Sequence, residues 1–226
     1  MYADWPSPAP GGGTHDEMML GFDRRREHRL LVLAPLFEEA NRFRHQIVEI
    51  MRRLDMRDID CFCPDLPGCN ESTTPLREQT LDCWRDAAQA ASAHVGATHV
   101  LAIRSGCWLA PAGLPGWLYV PPRTSLVLRA MVRARIIAAR ETGCEETGER
   151  LLSSARATGI ELAGWELGPE LVAEMEREEI DYPDCQTIVK QADIGGKPLW
   201  LRAENDDDPE QADALAALVA IGMLDA

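Results

Sequence analysis

Apolar and polar residues alternate along this chain in blocks that predict strands and helices in turn. Residues 29–36 (RLLVLAPL) form a short apolar run bounded by charge and proline, the pattern of a strand buried on both faces. After Asn41, the residues Phe43, Ile47, Ile50, Met51 and Leu54 recur at helical spacing. Residues 59–64 (IDCFCP) predict the next strand, and the turn formers of 66–72 (LPGCNES) follow it. A long helix is predicted over 76–94, with Leu81, Trp84, Ala88 and Ala91 on one face. Residues 98–103 (THVLAI) predict a third strand and 117–120 a fourth. Beyond them come an amphipathic helix over 125–140, a helix over 149–157, and another opened by Pro169 and running to 179. Residues 197–203 (KPLWLRA) read as a late strand, followed by an acidic loop and an alanine-rich helix from Pro209. Strands alternating with helices imply an α/β fold, a mostly parallel sheet with helices on both faces. Ligands then belong at the carboxyl ends of the strands.

Composition narrows the function classes. With 23 basic and 37 acidic side chains the net charge is −14, which repels phosphate backbones and argues against nucleic-acid binding. No stretch approaches the ~20 apolar residues of a membrane span. Residues 1–22 lack the basic start and apolar run of a secretory signal, and their proline and glycine predict a flexible tail over 1–24. Seven scattered cysteines without an export signal read as reduced thiols of a cytoplasmic protein. Cys61 and Cys63 point to one face of a predicted strand with Cys69 near by, but no ligand-spaced histidine completes a metal site. No metal and no cofactor is expected.

The candidate chemistry lies at Ile103-Arg-Ser-Gly-Cys107, directly after a predicted strand. There a nucleophile elbow, G-x-S-x-G, would hold Ser105 on a sharp turn, although Ile103 and Cys107 stand where the outer glycines belong. The backbone N–H groups of Gly106 and Phe37 are the natural oxyanion donors, with Glu38 and Glu39 beside them. An acid is available in the loop Asp206-Asp207-Asp208, Asp207 being the candidate. The general base is missing. Such a triad runs Ser, acid, His along the chain, yet His15, His28, His45, His94 and His99 all precede Ser105. His45, about a turn into its helix, is the one outside candidate. A serine with no base is a poor nucleophile. Arg129, Arg133, Arg135 and Arg140 either line an anion pocket or form the wet face of their helix.

These residues carry a resemblance. PLFEEANRFRHQ, then DLPGCNES, then THVLAIRSG resemble α/β-hydrolases of the dienelactone-hydrolase and acyl-peptidase type. More narrowly, three pieces resemble the second of the hydrolase-like proteins associated with exosortase systems in bacteria: residues 35–41, the arginine-rich helix after Pro122, and residues 160–169 (IELAGWELGP). Residues 197–200 resemble that group's G-x-P-F-W segment. The resemblance runs from about residue 29 to 217. It implies one α/β-hydrolase-like domain over 25–226, with a helical lid over about 123–158, and a cytoplasmic accessory role in exopolysaccharide export with a protein partner there. The chain departs from a working hydrolase at the elbow glycines and the histidine, and its C-terminal half looks one strand short. Three functions fit: a hydrolase-fold protein without catalysis, a serine esterase or thioesterase with an unusual base, or a binder of a small acyl or lipid-linked sugar (glycolipid) ligand.

Overall fold

The computed structural model describes residues 1–9, 11–202 and 207–224. Its centre is a parallel sheet of β3 (Arg29–Leu33), β4 (Asp60–Pro64), β5 (His99–Ile103), β6 (Gly116–Tyr119) and β9 (Gln186–Val189). Two antiparallel strands, β1 (Tyr2–Pro8) and β2 (Thr14–Phe22), extend it beside β4, giving the order β1-β2-β4-β3-β5-β6-β9. The helices are α1 (Glu38–Asp55), α2 (Leu81–Val95), α3 (Thr124–Glu141), α4 (Gly148–Thr158), α5 (Pro169–Arg177), the single turn α6 (Gln191–Ile194) and α7 (Pro209–Leu224). A hairpin of β7 (Ile160–Leu162) and β8 (Trp165–Leu167) stands apart from the sheet.

The period-2 geometry of a strand divides the core in two. From β3, Leu31 and Leu33 face one cluster with Trp84, Leu128 and Leu171, while Leu30 and Val32 face another with Phe43, Ile47, Leu215 and Val219. Helices α1 and α7 therefore cover one face, and α2 with α3–α5 the other. Each buried Leu, Ile or Val contributes roughly 1.5–3 kcal/mol, which is why the central strands are apolar at nearly every position. No helix among the described residues is long and apolar enough to cross a membrane.

Several expectations need correction. Residues 1–24 are not a loose tail. Trp5 is buried, its indole donating to the Met18 carbonyl at 3.2 Å, and Met19 joins the same core. The long helix expected over 76–94 is a 3-10 turn (Leu76–Glu78) followed by α2, because the Thr80 hydroxyl caps the new helix by accepting from the Cys83 N–H at 3.0 Å. The late strand expected over 197–203 is absent from its described residues, 197–202. Leu199–Leu201 is a 3-10 turn entered from Pro198, and the fifth parallel strand is β9, whose polar Gln186 and Thr187 hide it from an apolar-run search. The helix after Pro169 ends at Arg177 rather than 179.

Candidate functional site

A cavity of about 510 Å³ opens at the carboxyl ends of the parallel strands, between them and α3. Its polar end comes from the segments after β3 and β5: Leu36, Phe37, Glu38 and Glu39 from the first, Arg104 and Ser105 from the second. Its apolar wall is the stripe of α3 that borders it, including the exposed Leu126 and Ala130, the half-buried Val127 and the buried Met131, with Trp165 at the start of β8. Trp200 and Leu201 complete the mouth. The β7–β8 hairpin brings Trp165 there through a two-residue turn in which Ala163 (φ 52°) and Gly164 (φ 86°) are both left-handed. The Trp165 ring then meets Phe37 edge-on at 6.0 Å.

The turn after β5 has an elbow's form, in a register one residue earlier than expected. The left-handed residue is Arg104, with φ 54°. Two residues on, a side chain at Gly106 would put its Cβ 2.5 Å from the carbonyl oxygens of both Leu33 and Ala34, so only glycine lets this turn lie against the end of β3. The strained backbone thus presents an arginine where an elbow would present its nucleophile. The Arg104 guanidinium is fixed on three sides. Its Nε and Nη2 donate to the two Glu39 carboxylate oxygens at 3.0 Å each, and Nη1 donates to the Val120 carbonyl at 2.8 Å. Its plane also lies over Trp200, 4.1 Å from the ring centroid.

The remaining candidates fall as follows. Ser105 is 1% exposed, and its hydroxyl accepts the Leu36 N–H at 2.8 Å. Phe37 itself is left-handed (φ 59°) and buried, and among the described residues its N–H has no hydrogen-bond partner. In this register the N–H that follows the elbow residue belongs to Ser105 rather than Gly106. Glu38 and Glu39 open helix α1 as its first-turn acids; Glu38 is exposed and pairs with Arg42, Glu39 pairs with Arg104, and both border the cavity. All five histidines are among the described residues, and none lines the cavity. His45 is 64% exposed on the outer side of α1, with Nδ1 3.5 Å from the Asp207 carboxylate. The structure therefore joins two of the candidates, His45 and Asp207, to each other and not to Ser105. Asp206 lies outside the described residues. Asp208 caps α7: its carboxylate accepts from the Gln211 N–H (3.1 Å), the Gln211 side chain (2.7 Å) and Arg202 (2.9 Å). Burial works to raise this carboxyl, but those bonds outweigh it and hold it below the usual carboxylate range. The residues that follow the last parallel strand are Lys190 and Gln191, with no acid directly there.

Of the arginines on α3, Arg135 pairs with Glu146 and donates to the Glu161 carbonyl, and none of Arg129, Arg133, Arg135 and Arg140 lines the cavity. Among the described residues no group of three or more His, Cys, Asp and Glu is arranged for a metal ion, and all seven thiols are free. Burial pushes the Cys63 and Cys69 thiols up to about 12, which leaves them poor ligands and poor nucleophiles. Arg104 is the residue the sequence reading missed. The signal was there: a small residue, Ala102, two before it and Gly106 two after it.

Comparison with known proteins agrees on architecture. A protein of Agrobacterium vitis S4 assigned as a hydrolase superposes with a TM-score of 0.59 at 11% identity, covering 96% of this chain and 97% of that one. Est1E from Butyrivibrio proteoclasticus, solved with ferulic acid, gives 0.52 at 12% identity, with 98% of each chain covered. No family model and no curated protein matches this chain. At these identities the likeness establishes the fold: the chain has the α/β-hydrolase fold, a mostly parallel sheet with helices on both faces.

Proposed function

We propose that this chain is a hydrolase-fold protein that binds a small molecule without hydrolysing it. The observation that carries this reading is Arg104. It occupies the left-handed position of the elbow, neutralised by Glu39 and held by Val120. A guanidinium paired in this way is no nucleophile. The adjacent Ser105 hydroxyl is buried and engaged with Leu36 rather than facing a base. Meanwhile the cavity and its covering helix α3 are intact, so what a hydrolase uses to hold its substrate is retained. The resemblance to the exosortase-associated group extends the proposal to a cytoplasmic accessory role in exopolysaccharide export, with a protein partner there.

One observation favours a second reading, a serine esterase with an outlying base: His45 and Asp207 lie 3.5 Å apart, as the acid and histidine of a triad would. The same test decides between the two. Turnover of short and medium nitrophenyl esters is expected to match the buffer blank for both the natural protein and Ser105→Ala. Clear activity that Ser105→Ala lowers by about 100-fold would instead establish the esterase.

A further inference from the structure

The cavity's chemistry narrows what it takes, on the reading that it binds without hydrolysis. We propose that its ligand is an uncharged acyl compound whose carbonyl oxygen is recognised by Arg104 and whose chain lies along α3. At about 510 Å³ the cavity fits a small organic molecule, since such sites run to roughly 300–1,000 Å³. Its long wall is aliphatic, and Ala130 leaves a trough between Leu126, Val127 and Met131. A flexible hydrocarbon chain fills such a trough at little polar cost.

The opposite end offers donors. Arg104 is 8% exposed, and three of its five N–H groups are engaged with Glu39 and Val120. The other two have no acceptor among the described residues, and neither has the Phe37 N–H. Buried donors call for an acceptor. The charges select which kind: the Glu39 carboxylate already balances Arg104, and Glu38, paired with Arg42, stands beside it on the same lining. With Arg104 and Arg42 each already balanced by a carboxylate, no positive charge is left over to offset the cost of taking a ligand carboxylate out of water. A carbonyl oxygen satisfies the same donors without that cost. The mouth suits such a ligand as well, because Leu126 (55% exposed) and Leu201 (74% exposed) give it an apolar rim.

The test is calorimetric titration of the full chain with methyl octanoate, 1-octanoylglycerol and octanoate at pH 7.5, followed in parallel by the fluorescence of Trp165 and Trp200. At least one neutral ester should bind saturably, and octanoate at least about tenfold more weakly. Tighter binding of the methyl ester points to a small ester, and tighter binding of the glycerol ester to a lipid. Arg104→Met should weaken ester binding by at least about tenfold. If that variant does not fold, Arg104→Met with Glu39→Gln removes both charges together, and Ala130→Trp fills the trough independently. Equal binding by the Arg104 variants, tighter binding of octanoate, or no saturable binding at all would overturn the assignment. Release of octanoate from either ester is a separate failure: it would overturn the non-hydrolytic reading and leave the cavity's occupant as assigned.

Discussion

At the residue scale, the turn after β5 shows how a backbone motif outlasts the side chain it usually serves. Arg104 keeps a left-handed conformation that costs a non-glycine residue of order 1–3 kcal/mol. Its bonds to Glu39 and Val120 and its stacking on Trp200 offset that cost. Gly106 is the fixed point of the turn. Gly106→Ala should lower stability in urea unfolding by about 3 kcal/mol or more, since backbone rather than a movable side chain obstructs the methyl group. Gly113→Ala, with nothing within 4 Å of its added carbon, should stay within about 0.5 kcal/mol of the natural protein. Equal effects would mean that the turn is not packed against β3 as described. Ser105 was legible as part of a special turn because it follows an apolar strand and precedes glycine. The register was not legible, because a serine attracts the reading of a nucleophile and an arginine does not.

At the element scale, the elements that announced themselves did so through apolar continuity or helical spacing. Strands β3, β4 and β5 and helices α1, α3 and α7 are of this kind. Those that did not are short or polar. In β1 and β2 only alternate positions such as Trp5 and Met19 enter the core, so proline and glycine dominate the local reading. Strand β9 has four residues, two of them exposed. Helix α7 depends on its cap. Asp208→Ala should destabilise the protein by about 1–2 kcal/mol at pH 7. Because the folded state holds this carboxyl low, its contribution is in place above the unfolded carboxylate pKa of about 3.9 and fades as pH falls through the folded value. The gap between natural protein and variant, measured by urea unfolding, should therefore be largest near neutrality and narrow below pH 4. A gap that widened in acid would contradict the assigned bonding.

At the scale of the whole molecule, burial is uneven. The central strands are enclosed on both faces, whereas α4 buries only Leu151 and Ala155, and much of α3 faces outward. Amide hydrogen exchange should accordingly release α4 and the outer part of α3 by local opening while β3 and β5 wait for global unfolding. Uniform protection would argue that the cover over the cavity is rigid. The thiols supply a way to watch that cover directly. Cys144, in the link between α3 and α4, and Cys185, just before β9, are the two exposed cysteines, and the other five are buried or partly buried. A gentle alkylating reagent meets these two first, which allows a pair of spin labels to be placed without engineering the chain. One label then rides on the cover and the other on the edge of the sheet, so the spread of distances between them becomes a ruler for how far the cavity opens.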